Sequence, residues 1–268
     1  MKFKKLLFSV VFILGFGVVY HYYGNYMLYA VTLFEQKISR PIIGFQTKIA
    51  KSRTLANAPC NPVIIAHRGN YQENVFPQNS QVGISSAINH GLKKLEIDLT
   101  FFEDGVVLDH GPVHMPVGSF LKDYHPSDKP PFRLETFFEN FAPHFELIIF
   151  DLKEILTTQA NQERAVELLS HFPFDPKHHI FIGLNCRFVK KVQERLHIKS
   201  GCEMQGVFAN WFLGFEIWSA HFRTVTALQT RLNTFARLEP LLWTYEDLPE
   251  VYGSCDQVNP SMAIVDRL

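Results

Sequence analysis

Short apolar segments that alternate with helical segments constrain the fold of this chain more than any other feature. Seven segments are predicted to be strands, at residues 63–66, 94–101, 106–108, 147–152, 180–184, 241–245 and 262–265. Three helices are predicted. The first runs from residue 79 or 80 to residue 90, the second follows the strand at residues 147–152 and ends at about residue 171, and the third covers residues 187–196. Apolar strands that alternate with helices are typical of a parallel sheet covered by helices. The pattern therefore predicts a parallel α/β domain over residues 62–268.

The first 34 residues differ from this domain in composition. No charged residue lies between Lys5 and Glu35, and residues 6–28 supply the roughly 20 apolar residues that a helix needs to cross a bilayer. We therefore predict a membrane anchor over residues 1–34, followed by a linker or juxtamembrane helix over residues 35–61. A cleaved signal peptide is the alternative, although small residues at the expected cleavage distance are missing.

The distribution of charge also favours a membrane-facing arm. The chain has 26 Lys and Arg residues against 26 Asp and Glu, but residues 1–53 have a net charge of +7 and the remaining residues −7. With 47% hydrophobic and 19% charged residues, the chain is neither a disordered protein nor a polycation that coats nucleic acid. The lysines at positions 2, 4 and 5 favour a cytoplasmic N-terminus. We expect a single-pass membrane protein with an extracytoplasmic domain.

The four cysteines leave two interpretations open. They are Cys60, Cys186, Cys202 and Cys255, and none forms a Cys-x-x-Cys pair, so their spacing does not fit a zinc ribbon. An even number of cysteines in an exported domain permits disulfides. Four buried thiols are the alternative.

The segment Lys-Leu-Glu-Ile-Asp-Leu-Thr at residues 94–100 places two carboxylates on one face of a predicted strand. Because alternate residues of a strand share a face, Glu96 and Asp98 point one way and the three aliphatic residues the other. Two neighbouring carboxylates repel each other unless a cation lies between them. The pattern indicates a metal or a basic partner, and a solvent-facing amphipathic strand is the alternative.

Polar residues of three other segments also follow predicted strands. His67 and Arg68 end the first strand, His110 follows the third, and Asp151 and Lys153 end the fourth. The carboxyl ends of parallel strands are where α/β folds build their sites. We therefore expect these side chains to share one site with the paired carboxylates.

In this order the motifs resemble those of the glycerophosphodiester phosphodiesterase family. The similarity covers residues 62–268 and rests on His67-Arg68-Gly69, Pro77-Gln78-Asn79-Ser80, Glu96 with Asp98, Asp104-Gly105, His110, Asp151-Leu152-Lys153 and Trp243-Thr244. The resemblance implies a (β/α)8 TIM barrel, here behind the predicted N-terminal transmembrane helix. It also implies metal-dependent hydrolysis of glycerophosphodiesters to glycerol 3-phosphate and an alcohol.

The resemblance further implies a metal centre and a pair of acid–base groups. Glu96, Asp98 and Asp151 would bind a divalent cation, either Mg²⁺ or Ca²⁺ because the ligands are oxygens. His67 and His110 would be the catalytic pair: one would help the attacking oxygen to lose its proton and the other would protonate the leaving alcohol.

Three further residues would contact the substrate. Arg68 and Lys153 would neutralise the phosphoryl oxygens. Trp243 would form a wall of the pocket against the glycerol or alcohol group, and a core tryptophan is the alternative.

The chain departs from the family pattern at three positions. Gln78 replaces a glutamate and is expected to accept a hydrogen bond from Arg68. Gly111 replaces the aspartate that usually follows the second histidine, which leaves the orientation of His110 without its usual support. Asp151 replaces a glutamate that is one methylene longer, so its reach to the metal is reduced.

Two alternative functions follow from the same features. The anchor and the aromatic segment at residues 208–218 fit a lysophospholipase D or a phospholipase-C-like enzyme that acts on a membrane lipid, although core packing also explains that segment. The three departures fit a catalytically silent barrel that binds phosphate-bearing ligands. A phosphodiester and the membrane are the expected partners, and nucleic acid is not.

Overall fold

The computed structural model describes residues 60–69, 76–102, 105–111, 132–153, 158–203, 206–225, 227–258 and 260–266. The predicted anchor at residues 1–34, residues 35–59 of the linker, and Asp104 of the motif set lie outside these residues. In the part of the chain that is described, no helix has the length and apolar character that crossing a membrane requires.

Within the described residues the chain forms nine strands and seven α-helices. The strands are β1 (Val63–His67), β2 (Lys94–Phe102), β3 (Gly105–Leu108), β4 (Leu147–Leu152), β5 (His179–Gly183), β6 (Ser200–Glu203), β7 (Ile217–His221), β8 (Glu239–Tyr245) and β9 (Met262–Val265). The helices are α1 (Gln81–Asn89), α2 (Leu134–Asn140), α3 (Gln159–Ser170), α4 (Cys186–Leu196), α5 (Val207–Phe212), α6 (Ala227–Ala236) and α7 (Leu248–Val258). Short 3₁₀ turns lie at Ala142–His144 and Phe222–Thr224.

Eight of these strands close into a parallel barrel. Around it the order is β1, β2, β4, β5, β6, β7, β8 and β9, and β9 returns to pair with β1. The remaining strand, β3, pairs antiparallel with β2 outside the barrel. Each of the seven helices lies between two consecutive barrel strands in the chain. The predicted (β/α)8 barrel is confirmed as a closed parallel barrel of eight strands.

Alternation within the strands sorts side chains between the barrel interior and the surrounding helices. Of β2, Leu95, Ile97 and Leu99 belong to the outer core beneath the helices, so Glu96 and Asp98 face inward. The two carboxylates are only 1% and 0% exposed. The predicted shared face is thus confirmed, and the solvent-facing alternative is wrong.

Aliphatic side chains fill the inside of the barrel beneath a polar upper layer. The aliphatic cluster consists of Ile65, Ile149, Ile180, Ile182, Ile217, Leu241, Met262 and Ile264. Two residues further along β1, β4 and β7, the next inward-facing positions hold His67, Asp151 and Ser219. Because parallel strands end on the same side, these polar groups gather at the carboxyl ends of the strands.

All four cysteines form disulfides. Cys60 pairs with Cys255 of α7, and Cys186 at the start of α4 pairs with Cys202 of β6. The first disulfide joins the segment before β1 to the last described helix. The structure therefore decides between the two interpretations of the cysteines in favour of disulfides.

The aromatic segment at residues 208–218 has two environments. Phe215 and Trp218 are buried in the core. Trp211 and Phe212, at the end of α5, are 49% and 40% exposed. Core packing therefore explains the second half of the segment, whereas the first half presents aromatic rings to solvent.

The two disulfides are expected to stabilise the fold unequally. They are separated by 195 and 16 residues along the chain, and a longer closed loop removes more entropy from the unfolded chain. The double variant C60A/C255A should lose about 5 kcal/mol of unfolding free energy and C186A/C202A about 3 kcal/mol. Urea unfolding followed by tryptophan fluorescence measures both, and an equal or reversed ranking would contradict the loop-length argument.

Candidate active site and metal centre

Three buried carboxylates of β2 and β4 converge at the level where β1 and β4 end. Asp98 and Asp151 are direct neighbours in the register of these strands, and Glu96 lies two residues before Asp98 on the same face. One oxygen from each of the three lies within 4.8 Å of the other two. Oxygens that share one Ca²⁺ at about 2.3–2.6 Å can be at most about 5 Å apart, so the spacing fits a common cation.

An unpaired oxygen supports the fit to a cation. Asp151 is 2% exposed, and its Oδ1 has no hydrogen-bond partner among the described residues. A buried carboxylate oxygen without a partner is costly in free energy. An oxygen-only set of ligands is the type that Mg²⁺ and Ca²⁺ prefer. The residues present therefore fit a divalent cation.

Burial and mutual repulsion set the charge of the three carboxylates. Burial, and then the charge of Asp98, raise the pKa of Glu96 well above its usual value. Burial also raises the pKa of Asp151. Asp98 is the exception: burial opposes its ionisation, but Lys153 and Arg68 outweigh burial and lower its pKa. Asp98 is thus the firmly ionised member of the cluster.

Arg68 reaches Asp98 from the turn that follows β1. Its Nε lies 2.8 Å from Asp98 Oδ2, and its backbone N–H donates to Glu96 Oε2 at 3.1 Å. The turn requires a left-handed backbone at Arg68 and at Gly69. A Cβ at position 69 would lie 2.9 Å from the carbonyl carbon of Gly83, so glycine is needed for close contact with α1.

The segment before α1 supports both Arg68 and Asp98. Gln78 Oε1 accepts a hydrogen bond from Arg68 Nη1, as the sequence predicted. Asn79 donates its side-chain amide to Asp98 Oδ2 at 2.7 Å and accepts the Asp98 backbone N–H at 3.1 Å. Ser80 is the N-cap of α1 and accepts the backbone N–H of Gly83. The loss of a carboxylate at position 78 therefore leaves the position of Arg68 intact.

Lys153 lies between two of the carboxylates. Its Nζ is 3.1 Å from Asp98 Oδ1 and forms an ion pair with Asp151 Oδ2. Burial alone would lower the pKa of Lys153, but Asp151, then Glu203 and Asp98, hold it well above its usual value. The ammonium group is therefore charged at neutral pH.

His67 is held between two acidic residues. Its Nδ1 is 2.5 Å from Asp266 Oδ1, just after β9, and its Nε2 is 3.8 Å from Glu96 Oε2. Burial lowers the pKa of His67 although Asp266 acts in the opposite direction. The imidazole is thus neutral at neutral pH, with Nδ1 donating to Asp266 and Nε2 facing the carboxylates.

His110 approaches the same centre from the segment after β3. Burial lowers its pKa to about 4, against the opposing effect of the Asp98 carboxylate. The neighbouring Gly111 has a positive φ, and a Cβ there would lie 3.0 Å from Thr100 Oγ1. The backbone carbonyl of Asp109 accepts a hydrogen bond from Thr100 Oγ1 at 2.9 Å, and the Asp109 backbone N–H donates to the Asp98 carbonyl at 3.2 Å. These two bonds to β2 fix the turn that carries His110.

Trp243 lies on the opposite wall, with the last residues of β7. Its Nε1 donates to Ser219 Oγ at 2.9 Å, and His221 contacts the indole edge-on with ring centroids 5.3 Å apart. His221 and Trp243 are register neighbours, and both are partly exposed. The tryptophan therefore lines the mouth of the barrel instead of filling the core.

Two acidic residues of this centre are absent from the predicted set. Asp266 is a polar residue that directly follows an apolar strand, at residues 262–265. The same pattern identified His67 and Asp151, so it would also have identified Asp266. Glu203 is 5% exposed and ends β6. Because β6 reads Ser-Gly-Cys-Glu, it has no apolar run that would mark it as a strand.

The predicted site residues thus lie at one end of the barrel. The two histidines, the three carboxylates, Arg68 and Lys153 form one electrostatic cluster, and Trp243 lies on the wall formed by β7 and β8. The chemical roles of these residues stay predictions, since the geometry gives their positions alone.

Comparisons with known proteins connect this barrel to one group of solved structures. No protein-family model matches the chain, and no curated protein matches it in sequence. A glycerophosphodiester phosphodiesterase from Parabacteroides distasonis has a TM-score of 0.61 at 20% identity, over 77% of this chain and 93% of that one. A putative one from Galdieria sulphuraria has a TM-score of 0.63 at 15% identity, over 78% and 95%.

A third similar structure contains a bound product. It is a phosphodiesterase from Oleispira antarctica in complex with sn-glycerol-3-phosphate, with a TM-score of 0.56 at 18% identity, over 75% of this chain and 92% of that one. The resemblance drawn from the motifs is therefore confirmed at the level of the fold: this chain has the barrel of glycerophosphodiester phosphodiesterases.

The contact between His67 and Asp266 predicts a measurable shift. Because the hydrogen bond and the negative charge of Asp266 raise the pKa of His67, Asp266→Asn should lower that pKa further below its usual value. NMR titration of the imidazole protons in metal-free protein measures this pKa. His179, buried on β5 with a pKa lowered to about 4, is the control that should not change. An unchanged pKa of His67 in Asp266→Asn would show that Asp266 does not stabilise the protonated imidazole.

Proposed function

We propose that this protein is a metal-dependent phosphodiesterase that hydrolyses glycerophosphodiesters to glycerol 3-phosphate and an alcohol. The observation that carries the proposal is the buried cluster of Glu96, Asp98 and Asp151 beside two histidines at the carboxyl end of a barrel. The fold shared with solved glycerophosphodiester phosphodiesterases, one of them bound to sn-glycerol-3-phosphate, supports this substrate class.

The two histidines supply the proton transfers. His67 is the base, because its Nδ1 is engaged by Asp266 and its Nε2 is left to accept a proton from the attacking oxygen. Asp266 stabilises the imidazolium that forms. His110 is the acid that protonates the leaving alcohol. A bound anionic phosphodiester raises the pKa of His110 from its low value in the free protein.

Arg68 and Lys153 neutralise the phosphoryl oxygens. Both are held in place by Asp98, with Arg68 on its Oδ2 and Lys153 on its Oδ1. Fixed cations next to developing negative charge stabilise a transition state without reorganisation. Trp243 and its partner His221 form an aromatic wall against the glycerol or alcohol group.

Glu96, Asp98 and Asp151 would hold the divalent cation, either Mg²⁺ or Ca²⁺. When bound, such an ion polarises phosphoryl oxygens and offsets their negative charge. Asp98 remains ionised and keeps Arg68 and Lys153 in position.

The activity is tested with glycerophosphocholine in the presence of Mg²⁺, Ca²⁺ or EDTA. We expect metal-dependent release of glycerol 3-phosphate or choline, and a loss of about 10²-fold or more in His67→Asn and Glu96→Gln. His171→Asn and Glu167→Gln are matched controls, because this exposed pair lies at the end of α3 and should leave turnover unchanged. An absence of turnover together with metal binding would instead favour a silent phosphate-binding barrel.

A second candidate function is action on a membrane lipid, as lysophospholipase D or as a phospholipase-C-like enzyme. The exposed Trp211 and Phe212 on α5 favour it, because aromatic rings bind readily at a bilayer interface. The same assay with a lysophospholipid separates the two candidates. A preference for the water-soluble substrate would exclude lipid hydrolysis as the main activity.

We also propose that the barrel, residues 62–268, lies outside the cytoplasm behind a single-pass anchor at residues 1–34. Its two disulfides support this location, because disulfides persist in oxidising compartments and are rare in the reducing cytosol. The apolar arm with its basic N-terminus supports the anchor.

The location predicts that the protein carries no free thiols in its native membrane. After denaturation without reductant, a maleimide-polyethylene glycol reagent should leave its electrophoretic mobility unchanged, and after reduction four additions should appear, one for each cysteine. Cys186→Ser is the positive control, because it leaves Cys202 unpaired and should show one addition without reductant. Labelling of the wild-type chain before reduction would place the barrel in a reducing compartment.

A further inference from the structure

Exposed aromatic rings collect on two helices that contact each other, α5 and α6. Four large apolar side chains are exposed among the described residues, and three of them lie in the last turns of these helices: Trp211, Phe212 and Phe235. Phe235 is 80% exposed. Single exposed apolar side chains are common, whereas a group of them marks an interaction surface. We call these three rings the aromatic patch.

The aromatic patch lies toward the end of the barrel at which the strands begin. Glu216 and Glu239 follow it, four residues after Phe212 and four residues after Phe235. The backbone N–H of Glu216 donates to the carbonyl of Ser200, the first residue of β6, at 3.2 Å. The backbone N–H of Glu239, the first residue of β8, donates to the Glu216 carbonyl at 2.9 Å. Both helices thus return to the amino ends of the strands, with the aromatic patch in their last turns.

The chain before β1 reaches the barrel at this same end. Ser261 donates its backbone N–H to the Pro240 carbonyl at 3.1 Å and accepts that of Val63 at 2.9 Å. These hydrogen bonds continue the row of contacts at the amino ends of the strands from β8 to β1. Cys60 lies shortly before β1, and its disulfide joins it to Cys255 near the end of α7. The connection to residues 1–59 and the aromatic patch therefore lie at one end of the barrel.

The candidate active site lies at the other end. Strand β1 runs from Val63 to His67, and at about 3.3 Å per residue the histidine is about 13 Å from the level at which the strand begins. Trp243 lines the mouth at the far end, next to His221 at the end of β7. A surface that contacts the aromatic patch therefore leaves the mouth of the barrel free.

We propose that the aromatic patch inserts into the interface of a lipid bilayer, so that the amino ends of the barrel strands lie toward the membrane and the active site faces the water. The proposal rests on the anchor at residues 1–34 proposed above. It goes beyond the anchor because it gives the barrel itself a contact with lipid and one orientation.

The sequence before the barrel favours a bilayer as the partner of the aromatic patch. No charged residue lies between Lys5 and Glu35, and residues 35–59 span at most about 80–90 Å even when fully extended. An anchor at residues 1–34 therefore keeps the patch close to the membrane. Aromatic side chains, tryptophan above all, are enriched at the boundary between lipid and water.

This orientation bears on the two candidate substrates. The aromatic patch brings the barrel to the membrane but keeps the mouth about one strand length away from it. A deacylated glycerophosphodiester reaches such a mouth directly from water, whereas a lysophospholipid would first have to leave the bilayer. The orientation therefore favours the water-soluble substrate.

Quenching of tryptophan fluorescence by brominated lipid tests the orientation, because the three tryptophans of the chain lie in three environments. Trp211 belongs to the aromatic patch, Trp218 is 1% exposed, and Trp243 lines the mouth. Full-length protein is reconstituted into phosphatidylcholine vesicles that contain phosphatidylcholine brominated near the glycerol end of one acyl chain. We expect quenching in the wild type, loss of most of this quenching in Trp211→Phe, and no loss in Trp243→Phe.

Variants of the other two rings give a second readout. The double variant F212S/F235S keeps Trp211 but removes apolar area from the aromatic patch, so the quenching of Trp211 should decrease. Val82→Ser is the matched control, because Val82 is the fourth exposed apolar side chain and lies at the start of α1, near the mouth. Its replacement should leave the quenching unchanged.

Each other result would overturn a defined claim. Quenching that persists in Trp211→Phe would exclude the aromatic patch as the contact, and its loss in Trp243→Phe would show that the mouth faces the membrane. An absence of quenching in wild-type protein that floats with the vesicles would exclude contact of the barrel with lipid while leaving the anchor intact. Protein that does not float with the vesicles would overturn the anchor and the orientation together. Turnover of glycerophosphocholine by the same vesicles reports the proposed activity separately.

Discussion

The site depends on the burial of one ionised carboxylate, Asp98, at the mouth of the barrel. Its side chain is fully buried, and such a charge is stable only with charged and hydrogen-bonded partners on both oxygens. Arg68 and Asn79 contact Oδ2, and Lys153 contacts Oδ1. These partners come from the turn after β1, the segment before α1 and the end of β4. One buried charge thus ties together three separate segments of the chain.

The apolar core and the ionisable residues occupy different levels along the axis of the barrel. Aliphatic side chains fill the interior near the amino ends of the strands, where no polar group is needed. Ionisable groups collect above them, and their burial between β1, β2 and β4 produces the shifted pKa values of Glu96 and His67. The wall formed by β7 and β8 is aromatic and carries Trp243. One side of the barrel mouth is therefore charged and the opposite side aromatic, which suits a ligand with one anionic and one uncharged end.

The departures from the family pattern have different structural consequences. Gln78 preserves its contact with Arg68, because an amide oxygen accepts the same hydrogen bond as a carboxylate. At Gly111 a side chain would crowd Thr100, whose hydroxyl instead donates to the backbone carbonyl of Asp109 and fixes the turn. The shorter Asp151 forms an ion pair with Lys153.

The sequence by itself determined the strands that carry apolar runs and the faces on which their polar residues lie. Residues 147–152 and 262–265 coincide with β4 and β9, and α1 is capped by Ser80, one of the two predicted starting residues. These features follow from local rules, namely alternation, capping and the position of polar groups at strand ends. Strands β6 and β7 were not predicted. Strand β6 reads Ser-Gly-Cys-Glu and has no apolar run, and the polar residues of Ile-Trp-Ser-Ala-His interrupt β7.

Only the tertiary structure decided which groups meet. It paired the cysteines and brought Asp266 to His67 across 199 residues. Such contacts depend on closure of the barrel and on its register, which join strands that are far apart in the chain. No local pattern of residues specifies that closure, because each strand is compatible with several neighbours until the whole sheet has formed.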